Sequence, residues 1–283
     1  MTPPLVSVIC LCHNHARFVR EAIESVLLQT YPNIQLLVVD DASTDESVTV
    51  IQDLIAAYPS ITFLSLRKNV GNCKAFNHGL ALTTGAFIID LAADDVLLPE
   101  RIENGVQSFQ EHSPDYGVHF SDAEWIDEAG QHVYNHSEKF PHHTIPQGDV
   151  YRHLIERYFI CSPSMMFKRE VMEYMGGYDE TLAYEDFDFW IRSSRKFNYC
   201  YTPAILVKKR IVKDSLSERQ FKHGSLQQES TYQVCKKIYK LNRTREEKRA
   251  LQRRVYYEIG VNLRLYNPGL ATRLFVLLIR TLI

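Results

Sequence analysis

No run of the 283-residue sequence reaches the roughly 18–20 consecutive apolar residues of a membrane-spanning helix. A basic excess is also missing: 32 Lys and Arg face 34 Asp and Glu, which argues against a general nucleic-acid binder. The six cysteines (Cys10, Cys12, Cys73, Cys161, Cys200 and Cys235) follow no disulfide or metal spacing, and Cys10-Leu11-Cys12 is an isolated pair on one strand face. All six are read as reduced thiols of a cytoplasmic protein. The apolar stretch LVSVICLC lacks a preceding basic segment and is short for a secretory leader, so none is expected. Asn135-His136-Ser137 and Asn242-Arg243-Thr244 then match the glycosylation pattern by chance. With 45% hydrophobic and 23% charged residues, the chain has the composition of a folded globular protein.

Against those absences, the first half shows a regular alternation. Leu5–Leu11 is a continuous apolar run, read as a buried parallel strand. Phe18, Ala22, Ile23, Val26 and Leu27 recur at helical spacing up to Pro32, and Gln35–Val39 is a second buried strand. Val48, Ile51, Leu54 and Ile55 mark another helix, capped by Ser43 or Thr44. Strands at Ile61–Leu66 and Phe87–Leu91 flank a glycine-interrupted helix, Asn69–Thr83. Strand–helix repetition of this kind predicts a mostly parallel, doubly wound α/β sheet. Further strands are expected at Tyr116–Phe120, Ser164–Phe167 and Ala204–Arg210, with an extended polar loop over 135–148 and only helices after about Ser215.

Ligands of such sheets bind outside the carboxyl ends of the strands. Three of those ends carry polar groups: Cys12-His13-Asn14, Asp40-Asp41 and Asp94-Asp95. The last pair is the most pointed, because adjacent carboxylates repel and need water or a cation to coexist.

Three segments in order, VSVICLCHNHARFVREAIESVLLQTYPNIQLLVVDDASTDES, NVGNCKAFNHGLALTTGAFIIDLAADD and GGYDETLAYEDFDFWIR, resemble the inverting glycosyltransferases of family 2, which have the GT-A (Rossmann-like) fold. The resemblance covers roughly residues 5–212. It implies that Asp95 holds a divalent metal, Mn²⁺ or Mg²⁺, and that Asp94 binds the donor ribose or the metal. Hard cations of this kind favour carboxylate oxygens. Many relatives carry another Asp where Ala92 stands, so metal binding leans on Asp95. Asp40 matches the acid that accepts N3–H of the base, with UDP the expected nucleotide, while Asp41 and Asp45 are less defined. His13 occupies the place of a base-stacking aromatic, beside Asn14; Lys74 is placed near the diphosphate, with Asn77 supporting its loop. Asp186 matches the catalytic base, and Glu185 orients the acceptor. Asp188, about 200° round the helix from Asp186, faces elsewhere. Trp190 either walls the acceptor site or packs in the core, and Asp122 resembles an acceptor-side position.

The histidines at 136, 142 and 143 fit no zinc spacing and suggest an acceptor loop; His223 is a candidate to close over the diphosphate. A domain at 1–214 and a helical, basic and apolar extension at 215–283 follow. Basic residues recur from Lys208 to Arg254, and three occupants fit the apolar LATRLFVLLIRTLI: a membrane surface, a second subunit of a homodimer, or the chain's own core. The resulting expectation is a metal-dependent inverting transferase that moves a sugar from a nucleotide-diphosphate sugar to a glycan or lipid-linked acceptor. Bacterial surface-polysaccharide assembly is the setting, in the cytoplasm or peripheral on the inner face of the plasma membrane. Two rivals are a sugar-nucleotide pyrophosphorylase, which would want a glycine-rich loop where CHNHARF has no glycine, and a catalytically silent nucleotide-binding or membrane-scaffold protein.

Overall fold

The computed structural model describes residues 2–140, 144–213, 215 and 222–282. Among the described residues nine strands form one sheet: β1 (Val6–Cys12), β2 (Ile34–Asp40), β3 (Thr62–Ser65), β4 (Phe87–Ala92), β5 (Val96–Leu97), β6 (Tyr116–Ile126), β7 (His132–Asn135), β8 (Met166–Lys168) and β9 (Asn198–Arg210). Their order is β3-β2-β1-β4-β8-β6-β9-β5, with β7 pairing the C-terminal end of β6 off this path. The β3-β2-β1-β4 block is parallel, β8 runs antiparallel to both β4 and β6, and β9 is parallel to β6. The sheet is therefore mostly parallel, as the alternating pattern requires.

Every residue of β1 is buried, which explains the unbroken apolar run: a central parallel strand has no wet face. Helix α1 (Val19–Leu27) buries Val19, Ala22, Ile23 and Val26, an i, i+3, i+4, i+7 stripe. Each such aliphatic side chain contributes roughly 1.5–3 kcal/mol on burial. Helix α2 (Ser47–Ala57) buries Ile51 and Leu54, and α3 (Asn72–Leu80) buries Phe76. At Gly79 a Cβ would meet Ile9 Cγ2 at 2.8 Å and Val39 Cγ2 at 3.0 Å, so glycine lets α3 lie close on β1 and β2. Helix α4 (Arg101–Glu111) follows Pro99, and α6 (Arg169–Met175) ends at Gly176 in the left-handed conformation.

The chain divides into two compact units. The sheet unit comprises 1–148, 160–178 and 197–212, and contains all nine strands with α1–α4 and α6. The helical unit comprises 149–159, 179–196 and 213–283. It contains α5 (Tyr151–Glu156), α7 (Asp186–Ser193), α8 (Leu226–Leu241), α9 (Arg245–Arg264) and α10 (Pro268–Leu282). Thr244 caps α9 by accepting from Glu247 N while Glu247 accepts from Thr244 N, a capping box. All six cysteines are free and buried.

Two local differences from the sequence reading have physical causes. The 135–148 segment opens in β7 and a 3-10 turn at His136–Lys139, because Asn135 and Glu138 form a capping box. Strand β6 runs to Ile126, placing Asp122 within it rather than after it. Lys208, Lys209 and Arg210 end β9, in line with the strand expected at Ala204–Arg210, and Arg210 is buried.

Candidate active site

In the sheet unit, parallel register aligns the ends of β1, β2 and β4: Cys12 lies beside Asp40, and Leu11 beside Ala92. Beyond those ends the chains remain tied, with Asp41 N donating to Cys12 O at 2.8 Å and Ala93 N to Leu11 O at 2.9 Å. His13, Asn14, Asp40, Asp41, Asp94 and Asp95 thus emerge from three adjacent strands.

Their side chains play distinct parts. Asn14 adopts a positive φ of 59°. Its Oδ1 accepts from Thr44 N at 2.7 Å, and its own N–H donates to Ser43 Oγ. His13 donates from Nδ1 to Asp41 O at 2.8 Å, which leaves Nε2 to accept from Asn69 Nδ2 at 3.1 Å. Asp41 accepts from Val70 N and Gly71 N at 2.7 and 2.9 Å, anchoring the loop into α3. Asp45 accepts from Ala16 N and from the N–H and hydroxyl of Ser47, a loop-bracing role.

Asp40 differs from these. It is fully buried; Oδ2 accepts from Ser43 N at 3.0 Å, whereas Oδ1 is buried with no hydrogen-bond partner. An unpaired buried carboxylate oxygen is costly, and a ligand N–H would relieve that cost.

Asp95 is 4% exposed, and burial, followed by the neighbouring Asp94, pushes its carboxyl up to about 8. Its Oδ1 accepts from Arg210 N at 2.8 Å. The Arg210 side chain donates to Asp94 O at 3.0 Å and to Asp127 O, and pairs with Glu21 at 2.6 Å. The guanidinium charge is shared with Glu21, and what opposes the rise of the Asp95 carboxyl is first the charge of Lys209, then the Arg210 N–H and the Arg210 charge. Beside Asp94, His15 Nδ1 lies 3.8 Å from Oδ1 and is buried without a hydrogen-bond partner. The Asp95 and Asp94 carboxylates and the His15 nitrogen are donors of the kind that hard or borderline cations take, without forming a three-ligand group among the described residues. Among the described residues no group of three His, Cys, Asp or Glu is poised to hold a metal, so such a cation would need ligand oxygens as well. Arg210 and His15 were not singled out from sequence. Arg210 is 115 residues from Asp95, and His15 merely continues a polar strand end.

Lys74 sits exposed on α3. Asn77, one turn on, clasps the backbone of Tyr178, accepting from its N and donating to its O, each at 2.9 Å. Gly177, at φ 85°, is required there, because a Cβ would come within 2.7 Å of Asn77 Oδ1. Tyr178 in turn donates to Asp90 Oδ2 at 3.0 Å. Asp122 accepts from Ser137 N and Oγ, fastening the 3-10 turn to β6. His136 is buried and receives the Trp125 indole N–H, while His142 and His143 lie outside the described residues.

The other candidates belong to the helical unit. Glu185 is the N-cap of α7 and Asp186 its first residue, both half-buried. Asp188 is buried and committed: it pairs with Arg192 at 2.6 Å and with Lys237 at 2.5 Å. Lys237 also pairs with Asp179 at 2.5 Å. Asp179 is pulled down to about 2; burial opposes this, but Lys237 and the hydroxyl and N–H of Thr181 outweigh it. Trp190 is buried against Tyr158, so it packs in the interior of this unit. His223 lies against Leu265 O at 2.8 Å.

Known proteins resemble this chain in sequence and in fold. The profile of the family described as "Glycosyl transferase family 2" matches residues 7–176. An uncharacterized glycosyltransferase of Rickettsia prowazekii is 30% identical over 216 residues, a match covering 74% of this chain and 64% of the relative's length. Among solved structures, the mannosyltransferase PcManGT of Pyrobaculum calidifontis, in complex with GDP-Man and Mn²⁺, is 19% identical with a TM-score of 0.66, covering 98% of this chain and 74% of that one. TarS 1-349 of S. aureus with UDP-GlcNAc is 16% identical with a TM-score of 0.70, covering 88% and 71%.

Proposed function

Because the chain belongs to glycosyltransferase family 2, we propose that it transfers one sugar, with inversion, from a nucleotide-diphosphate sugar to a hydroxyl of a glycan or lipid-linked acceptor. The observation that carries the donor half is Asp40: one oxygen is fixed by Ser43 N, and the other is buried and unpaired. That oxygen suits the N3–H donor of a uracil-type base, and UDP is the nucleotide we favour. GDP-Man and UDP-GlcNAc in the two solved neighbours support a nucleotide-sugar donor without choosing between bases. His13 and Asn14 line the base side, Asp94 the ribose, and Lys74 the diphosphate.

Asp95, with Asp94, is the place for Mn²⁺ or Mg²⁺, and a divalent cation bound there supplies neutralising charge beside the leaving diphosphate. On the acceptor side, Asp186 takes the proton of the attacking hydroxyl. The acceptor oxygen bonds to the anomeric carbon as the bond to the diphosphate oxygen breaks, and the electron pair leaves on the nucleotide. One base and one displacement give inversion. Glu185 orients the acceptor. A setting in bacterial surface-polysaccharide assembly, on the cytoplasmic side of the plasma membrane, fits this reading.

The test is a panel of nucleotide sugars presented to the purified chain with Mn²⁺, and again with a chelator. One donor, a UDP-sugar, is expected to raise the melting temperature and to release nucleoside diphosphate, both effects falling away with the chelator. A panel in which no nucleotide sugar shifts melting would refute the donor assignment.

A further inference from the structure

Helix α10 is apolar on the face it buries and apolar again on the face it exposes. Leu270, Ala271, Leu274, Leu277 and Thr281 are buried. On the outer side Phe275, Val276, Ile279 and Leu282 are 53%, 46%, 43% and 68% exposed. At 100° per residue those four side chains fall within about 120° of one another, and Arg280 follows within about 40° of Val276, while Arg273, about 60° away, is paired with Glu229 at 2.6 Å. Helix α9, antiparallel to α10 and joined to it by Gln252 Nε2 donating to Thr281 O at 2.9 Å, adds outward Tyr256, Tyr257 and Leu263. Arg249, Arg253 and Arg264 are exposed on the same helix, and Tyr266 projects from the turn between the two.

A soluble helix exposing this much aliphatic and aromatic surface needs an occupant for it. Charge distinguishes the candidates. Residues 222–282 hold 13 of the chain's 32 Lys and Arg but only four of its 34 Asp and Glu. An anionic lipid surface complements an apolar stripe bordered by arginines, and tyrosines favour the depth of the headgroups. A second copy docking by the same face would instead bring one basic border against another. Among the described residues no helix is long and apolar enough to cross a membrane, so contact is with the interface.

We propose that the outer face of α10, with the basic surface of α9, docks this protein on anionic lipid bilayers. The proposal does not rest on the transferase reading. The test is flotation of the full chain with vesicles of phosphatidylcholine alone and of phosphatidylcholine mixed with phosphatidylglycerol. The wild type is expected to bind the mixed vesicles, less so as salt rises, and to bind phosphatidylcholine weakly. The double variant Phe275→Glu/Ile279→Glu should lose that binding. Arg264→Glu/Arg280→Glu leaves the apolar stripe intact and should lower partition by about tenfold or more. Circular dichroism and light scattering on each variant report folding and oligomeric state. Absence of binding to the mixed vesicles, equal binding by the folded variants, or a wild-type dimer that Phe275→Glu/Ile279→Glu converts to monomer would each overturn the proposal.

Discussion

In the sheet unit Asp40, Asp41 and Asp95 accept hydrogen bonds from backbone N–H groups of Ser43, Val70, Gly71 and Arg210. In the helical unit Asp179, Asp188, Glu229 and Glu258 are held by the side chains of Lys237, Arg192, Arg273 and Arg254. The contrast follows from the elements available. Parallel strands end in loops whose amides are free to turn toward an acid, and those loops supply dipoles without adding a net cation. Helices consume most of their own amides, so an acid on a helix side leans on a charged side chain, while Asp179, in the chain before α7, also accepts from Thr181 N. The first arrangement holds an acid mainly by dipoles; the second neutralises it with a cation.

The comparison breaks most sharply at Asp186. Asp186→Asn should lower sugar transfer by about 10²–10⁴-fold while donor binding, read by calorimetry, is retained; a fully active variant would remove Asp186 from the chemistry. Next is Asp40→Ala, which deletes an acceptor built by the sheet unit. Donor affinity should fall by about 10–100-fold, from the loss of a charge-assisted hydrogen bond of roughly 1.5–3 kcal/mol. Unchanged affinity would mean that the unpaired oxygen has no ligand to meet.

Lys237→Met sharpens the other side. It leaves Asp179 and Asp188 with one cation fewer and should cost about 1–3 kcal/mol of stability, seen as a lower denaturation midpoint, with nucleotide affinity unaffected. The smallest effect is one of pH. The Asp95 carboxyl rises from 3.8 to about 8 on folding, with burial the larger cause and Asp94 the next. A raised acid binds its proton more tightly in the folded state. Its contribution to stability is complete below about pH 4 and is lost as pH climbs through about 8. Asp95→Asn should flatten that decline in metal-free protein, raising the melting temperature near pH 8 by roughly 2–4 °C if about 1 kcal/mol is recovered. A steeper decline in the variant would contradict the assignment.

Much of the sheet unit could be read from the chain, because buried parallel strands write themselves as apolar runs and each run here stops at a polar pair. Asp40 and Asp94-Asp95 were visible for that reason. The antiparallel β8 was harder, since three residues carry no period, and the two-residue β5 left no trace at all. Arg210 illustrates the limit: its partners Glu21, Asp94 and Asp127 come from three elements far away in sequence, and nothing in Lys208-Lys209-Arg210 distinguishes the buried cation from its neighbours. Asp188 could be turned away from Asp186 by helical phase alone. Its partner Lys237, 49 residues on, could not be found without the fold.

The backbone passes between the two units five times, after residues 148, 159, 178, 196 and 212. Neither can be excised as one stretch of gene. A stop codon placed before α8 would strip Lys237 from the segment bearing Glu185 and Asp186, so a truncation meant to probe attachment would also remove the cation that pairs with Asp179 and Asp188. Chimeras between relatives should exchange 149–159, 179–196 and 213–283 together, or the recombinant will inherit half of a clasp.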